Sequence, residues 1–155
     1  MRRSLEPLLW IGLVVLFAVL LFVEGRRAHA LEAQIPLTPK ELYQKLARSQ
    51  VRLQLVDVRP ELADNYEDAH IPGAIPFPGC DDAATPEAAR AQRLSSAPTV
   101  IISADGDAAL YQKCLARFTS ARNLAGGMTA WDDASYPEDT GEYTPPKTSA
   151  GGGCL

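Results

Sequence analysis

The chain has 155 residues, of which 46% are apolar and 22% are charged, and its net charge is −4. This length accommodates one globular domain and little more. The acidic balance excludes the basic footprint that a phosphate backbone requires, so no nucleic-acid partner is expected. The three cysteines are too few and too widely spaced for a disulfide framework, and no Cys/His cluster predicts a metal site.

The N-terminal segment has the composition expected of a membrane-spanning helix. Residues 8 to 23 read LLWIGLVVLFAVLLFV, an unbroken apolar run with arginines on both sides. About 20 apolar residues span a membrane, so we predict a single transmembrane anchor over residues 8–25 that contacts membrane lipid. Residues 1–7 form its N-terminal flank.

A cleavable signal peptide is the alternative to the anchor. Residues 28 to 30 read AHA, which has the form of a cleavage site, but Arg26 and Arg27 lie between the apolar run and that site. Arg2, Arg3 and the terminal amine carry nearly the same charge as these two arginines. The small difference places the N-terminus inside an inner or plasma membrane and the remaining chain on the periplasmic side.

A linker over residues 26–35 leads to the first helix of the domain. Thr38 is predicted as its N-cap, Pro39 as its first residue and Glu41 as the partner in a capping box. Later helices are predicted from residue 85 towards residue 94, over residues 110 to 118 and over residues 128 to 132. Between the helices, strands are predicted at residues 53 to 58, at the end of residues 70 to 76, at residues 100 to 103 and at residues 121 to 124.

Strands that alternate with helices in this way predict an α/β fold with a parallel sheet that is flanked by helices on both sides. Ligand sites in such sheets lie at the carboxyl ends of the strands. Three loops are expected to open on that edge, at residues 57 to 65, 78 to 82 and 103 to 107. The third loop follows a β-branched strand and opens onto a helix, so it has the layout of an active-site cradle.

Three motifs resemble those of the rhodanese-like domain. Residues 56 to 59 read VDVR, residues 70 to 76 read HIPGAIP and residues 123 to 131 read NLAGGMTAW. They occur in the family's order, and the resemblance covers roughly residues 36–137. It implies a rhodanese-like parallel sheet over this range.

In active members of this family, the cradle is a six-residue loop that begins with cysteine. The cysteine thiolate accepts sulfane sulfur, while backbone N–H groups and basic side chains hold the anion. Here the resemblance places Ser103 at the cysteine position, and the degenerate loop continues with Ala104, Asp105, Gly106, Asp107 and Ala108. A hydroxyl cannot carry a persulfide. The two aspartates also place negative charge where an anionic substrate would bind, so no catalytic residue is predicted.

The resemblance also gives a set of residues with a structural role. Asp57 and Arg59 match the family's D-x-R and are predicted to form an ion pair that supports the loop edge, while a contact with substrate is the less favoured reading. His70 is expected to order its own loop. The remaining structural positions are Gly73, Gly126, Gly127 and Trp131.

The cysteines are the candidate sulfur-carrying thiols. Cys114 lies on the apolar stripe of its helix and is predicted to be a small core residue. Cys80 follows a strand end on the same edge of the sheet as the cradle, although Asp81 and Asp82 are expected to raise its pKa and lower its reactivity. Cys154 follows three glycines near the end of a predicted flexible tail over residues 138–155, like the arm of a sulfur carrier.

The sequence therefore predicts a membrane-anchored, catalytically silent rhodanese-like domain that serves as a binding or assembly module. Its expected partners are other membrane or periplasmic protein subunits, and no cofactor is predicted. A sulfur carrier that works through Cys154 is the alternative, and a thiol redox enzyme that uses Cys80 is a third.

Overall fold

The computed structural model describes residues 6–48 and 53–146, of which residues 6–9 and 25–34 are described by their backbone alone. The chain divides into two compact units, one ending at Ile35 and the other beginning at Pro36. The helices are α1 (Glu6–Gln34), α2 (Pro39–Ala47), α3 (Leu62–Asn65), α4 (Glu87–Gln92), α5 (Ala108–Leu115) and α6 (Gly127–Asp133). The strands are β1 (Gln54–Asp57), β2 (Ile75–Pro76), β3 (Thr99–Ile102) and β4 (Ala121–Asn123), and a 3-10 turn covers Pro78–Cys80.

The first unit is dominated by α1, which contains the apolar run. The large apolar side chains from Trp10 to Val23 are 39% to 68% exposed. Among the residues that the structure describes, no helix combines the length and the apolar character needed to cross a membrane.

The second unit is built on a four-stranded sheet in the order β2-β1-β3-β4, with every strand pair parallel. Val56 of β1 pairs with Ile75 of β2 on one side and with Ile101 of β3 on the other. Backbone hydrogen bonds around Leu37 extend the β4 edge, since its N–H donates to the carbonyl of Asn123 at 2.7 Å. This arrangement is the parallel α/β sheet that the sequence predicts.

Both faces of the sheet are covered, because successive strand residues point to opposite sides. One core contains Leu55, Val100 and Ile102 and packs against α2 and α6 through Leu42 and Trp131. The other core contains Val56, Ile101, Phe77, Tyr111 and Cys114, among others, and packs against α5. The edge that bears the carboxyl ends of the strands is thereby held between two packed layers.

Two features of the domain are not predicted from its sequence. The loop after β1 contains the short helix α3, for which the polar composition gave no signal. Residues 138–146, assigned to the flexible tail, contact the domain: Asp139 and His70 exchange two backbone hydrogen bonds of 2.8 Å, and Gly141 N–H donates to the Glu67 carbonyl. This part of the predicted tail therefore lies against the domain, and Cys154 lies outside the described residues.

Candidate functional site

The loop after β1 is held by a buried ion pair. Asp57, the last residue of β1, is 2% exposed, and Arg59 is 8% exposed. The Arg59 guanidinium donates from Nε to Oδ1 of Asp57 at 3.0 Å and from Nη2 to Oδ2 at 2.7 Å. The same Nη2 donates to the carbonyl of Ala69. The pair is therefore bidentate, and it ties the end of the strand to the far end of its own loop.

His70 is fixed at that far end. Its ring stacks on Tyr66 with centroids 3.9 Å apart, and its Nδ1 lies 2.7 Å from the Tyr66 carbonyl oxygen. A carbonyl only accepts, so this contact places the proton on Nδ1. The hydroxyl of Tyr66 in turn donates to the Ala74 carbonyl at 2.7 Å, and burial raises the pKa of Tyr66. His70 is thereby engaged in ordering its loop.

The cradle loop begins at Ser103, which is 1% exposed. Its Oγ has no hydrogen-bond partner in the described part of the chain. Its carbonyl accepts from Met128 N–H at 2.8 Å, and the Ala104 carbonyl accepts from both the N–H and the hydroxyl of Thr129 at 2.9 Å. The first two residues of the loop are thus joined through their carbonyl groups to the start of α6.

The two aspartates of the loop differ in role. Asp107 is the N-cap of α5, and its Oδ1 accepts from Ala109 N–H at 2.7 Å and from Leu110 N–H at 3.0 Å. Its carboxylate serves the helix start, a role that the sequence analysis did not assign to it. Asp105 is exposed at the centre of the loop. The negative charge that the sequence analysis placed in the cradle therefore comes from one exposed carboxylate and one capping carboxylate.

Gly127 makes the contact between the cradle and α6 possible. Its φ is +57°, and a Cβ built there would lie 2.7 Å from the carbonyl carbon and oxygen of Ala104 and closer still to the Ser103 oxygen. Gly126, with φ +69°, precedes it. Gly73, another residue of the predicted structural set, has φ +79° and open space around it. Only glycine fits the close approach at Gly127.

A cavity of about 400 Å³ lies beside the cradle, and Ala104, Met128, Thr129 and Arg59 contribute to its wall. Three carboxylates also line it, those of Asp68, Asp132 and Glu138. Burial raises the pKa of Glu138, and the charge of Asp132 raises it further, while Arg59 acts in the opposite direction. Because Arg59, the cation of this wall, is already paired with Asp57, the charge available to a ligand is negative.

Glu138 comes from a part of the chain that the sequence does not associate with a site, whereas Trp131 belongs to the predicted structural set. Glu138 lies in the predicted tail, and its Oε1 is buried without a hydrogen-bond partner in the part of the chain that the structure describes. Trp131, 1% exposed, donates from Nε1 to the Pro137 carbonyl at 3.0 Å and thereby holds the start of that segment. The composition of the tail carries no signal for either contact.

The cysteines are arranged differently from the prediction. Cys80 and Cys114 form a disulfide, with Cα atoms 5.5 Å apart, and both side chains are buried. The sequence alone predicts Cys80 as a candidate sulfur-carrying thiol and Cys114 as a separate core residue. Cys114 is a core residue, but its sulfur is bonded, so Cys80 offers a thiol only after reduction. Of the three cysteines in the sequence, Cys154 is the one that this bond does not involve.

Comparisons with known proteins agree with this geometry. A family model described as Rhodanese-like domain matches residues 38–134. The chain therefore belongs to the rhodanese-like domain family, which contains sulfurtransferases and related proteins.

Several solved structures share the fold. A Bacillus halodurans protein is 20% identical with a TM-score of 0.57, and the match covers 76% of this chain and 85% of that one. The rhodanese-like domain of an Anabaena protein is 20% identical with a TM-score of 0.55, covering 77% and 88% of the two chains. A thiosulfate sulfurtransferase from Pseudomonas aeruginosa is 21% identical with a TM-score of 0.54, covering 70% of this chain and 20% of that one. At these identities the similarity shows the fold alone. No curated protein sequence matches the chain.

Proposed function

We propose that this chain is a membrane-anchored rhodanese-like domain without sulfurtransferase activity, which acts as a binding or assembly module for other membrane or periplasmic subunits. The observation that carries the proposal is Ser103 at the first position of the cradle, where the family resemblance places the sulfur-accepting cysteine. A serine oxygen cannot form a persulfide, so the covalent intermediate of the transfer has no atom to form on.

The surroundings of Ser103 support a silent cradle. Activation of a hydroxyl requires a base within hydrogen-bond reach, and the Ser103 Oγ has no partner in the described ranges. His70 is engaged with Tyr66 through Nδ1 and through ring stacking. The neighbouring cavity carries the carboxylates of Asp132 and Glu138, which repel thiosulfate and other anionic sulfur donors.

The membrane part of the proposal rests on residues 8–25. The apolar side chains from Trp10 to Val23 are exposed along α1 and need an apolar environment to cover them. A bilayer provides that environment, and the arginines that flank the run suit its interfaces. We place the domain on the non-cytoplasmic side of an inner or plasma membrane.

One experiment addresses both parts of the proposal. The full chain is produced in a bacterial host, membranes are separated from the soluble fraction, and thiocyanate formation from thiosulfate and cyanide is measured on the protein in detergent. We expect sedimentation with the membranes, and turnover no higher than that of a heat-denatured sample. Ser103→Cys alone is expected to remain nearly inactive, because the carboxylates around the cavity are unchanged.

Three results would contradict parts of the proposal. Turnover that Ser103→Ala abolishes would show that the hydroxyl takes part in catalysis. Recovery of an intact full chain in the soluble fraction would show that residues 8–25 do not anchor the chain in a membrane. High activity of Ser103→Cys would leave the missing thiol as the sole defect and show that the carboxylates do not exclude the donor.

A sulfur carrier is the second candidate function, and the disulfide limits which cysteine could carry the sulfur. Because Cys80 and Cys114 are bonded to each other, neither accepts sulfane sulfur in the oxidised chain. The carrier hypothesis therefore depends on Cys154, which follows three glycines at the C-terminal end of the sequence. In that case, sulfur transfer would bypass the cradle altogether.

A further inference from the structure

The disulfide joins two segments that belong to different parts of the candidate site. Cys80 ends the 3-10 turn that follows β2, and Cys114 lies on α5, the helix that begins at the end of the cradle loop. Cys80 is 3% exposed and Cys114 is fully buried. The bond therefore connects the turn at one side of the sheet edge to the helix on which the cradle ends.

The turn is held in a backbone conformation that Cys80 does not favour. Gly79 and Cys80 have φ values of +58° and +59° in succession. Glycine adopts this region freely, whereas a residue with a Cβ adopts it at a cost and only when the surrounding structure imposes it. The bond to Cys114 is one such constraint on the turn.

The ion pairs between the same segments are weak by comparison, because they lie at the surface. Asp82 accepts from Arg117 Nη1 at 3.1 Å, and these side chains are 42% and 48% exposed. Exposed ion pairs contribute little, because water and salt screen them. Arg93 also pairs with Asp82 and lies over the Phe77 ring at 3.7 Å, but it belongs to the turn's own side of the contact. Phe77 and Phe118 pack in the same core with ring centroids 6.2 Å apart, and the disulfide is the covalent link between the turn and α5.

We propose that the Cys80–Cys114 disulfide is a redox-dependent cross-link. In an oxidising compartment the bond stabilises the domain, and its reduction loosens residues 77–93 and α5. Formation removes two protons and two electrons from the two thiols, and the disulfide form of a dithiol oxidoreductase accepts the electrons. Reduction begins with attack of an external thiolate on one sulfur, which gives a mixed disulfide and releases the other sulfur as a thiolate. A second thiolate of the reductant then attacks the mixed disulfide, releases the second cysteine, and leaves the reductant oxidised as its own disulfide. Disulfides of this kind persist outside the cytoplasm.

The proposal does not depend on whether the cradle is silent, since it concerns neither Ser103 nor the cavity. It also differs from sulfur transfer in its chemistry: the bond gains or loses electrons, and no sulfur atom is added. The expected effect is large because the bond closes a loop with a sequence separation of 34 residues. Cross-links over such loops restrict the unfolded chain strongly.

The test uses the full chain in detergent. Alkylation under denaturing, non-reducing conditions is expected to modify one cysteine in protein from the membranes of a host with an oxidising periplasm, and three after treatment with dithiothreitol. Reduction is expected to lower the melting temperature by about 10 °C or more. Hydrogen exchange is expected to accelerate at residues 77–93 and in α5, and to change little in β1 and β3.

Two variants make the test specific. Cys154→Ser is expected to keep both the melting temperature and its fall on reduction. Cys80→Ser combined with Cys114→Ala is expected to melt at the temperature of the reduced wild type and to be insensitive to dithiothreitol. If the double variant fails to fold, the reduced wild type still gives the comparison.

The proposal is overturned if three cysteines are alkylated before reduction. It is also overturned if reduction leaves the melting temperature unchanged, or if exchange accelerates evenly over the whole domain. A fall on reduction that disappears in Cys154→Ser would assign the effect to a different bond. None of these results depends on thiocyanate formation. The oxidising compartment rests on the proposed periplasmic placement, but the changes in melting temperature and exchange compare oxidised with reduced protein wherever the chain was made, so a failure of this proposal is distinguishable from a failure of the proposed function.

Discussion

Gly127→Ala is expected to lower the free energy of unfolding by about 3 kcal/mol or more. The added Cβ would approach the Ala104 carbonyl group to 2.7 Å, and the neighbouring atoms are backbone, which cannot move aside as a flexible side chain does. Relief of the clash would stretch the hydrogen bonds from Met128 and Thr129 to the cradle carbonyls. Urea unfolding of the full chain in detergent measures the change.

The matched control for this substitution is Gly73→Ala. Gly73 has a positive φ of +79°, but an added Cβ would meet no atom within 4 Å, so its alanine variant has only the backbone strain. A loss of about 1 kcal/mol is expected there. Equal losses in the two variants would show that the contact between the cradle and α6 is not close, and would contradict this account of the site.

Asp57→Ala is expected to lower the free energy of unfolding by about 3 to 5 kcal/mol. The substitution leaves the Arg59 guanidinium buried without its carboxylate, and most of the cost comes from that uncompensated charge. The Ala69 carbonyl, which accepts from the same guanidinium, remains as a partner. Thermal and urea unfolding give the loss, and circular dichroism at low temperature shows whether the sheet is retained.

Asp82→Ala provides the comparison for the buried pair. Its carboxylate also pairs with arginines, but its side chain is 42% exposed, so water replaces the lost contacts. We expect a much smaller change than for Asp57→Ala. An Asp57→Ala variant as stable as Asp82→Ala would show that the pair with Arg59 does not hold the loop after β1.

The sequence predicts the sheet well because each strand carries its own signal. Apolar runs without alternation indicate strands that are covered on both faces, and β1 and β3 are such strands. The start of α2 is also local: the capping box between Thr38 and Glu41 is confirmed, with the Glu41 N–H donating to Thr38 Oγ1 at 3.3 Å. Local chemistry of this kind needs no knowledge of the fold.

The disulfide and the path of residues 138–146 cannot be predicted without knowledge of the fold. Cys80 meets Cys114 because two residues with positive φ turn the chain after β2 towards α5. A single cysteine on the apolar stripe of a helix does not indicate a disulfide partner. Residues 138–146 lack apolar periodicity, but their contact with His70 is made through backbone hydrogen bonds, which composition does not predict. Glu138 belongs to the same segment, so composition does not predict its place in the cavity wall either.

The most direct test of the silent cradle is the intact mass of the oxidised full chain after treatment with thiosulfate, followed by fragment mapping. Addition of one sulfur atom increases the mass by about 32 Da and labels a persulfide. We predict no stable adduct, since Ser103 cannot form one, Cys80 and Cys114 are bonded to each other, and thiosulfate transfers sulfur to a thiol such as Cys154 only slowly without a catalytic site. An adduct on Cys154 that cyanide removes as thiocyanate would contradict the silent module and establish the sulfur carrier in its place.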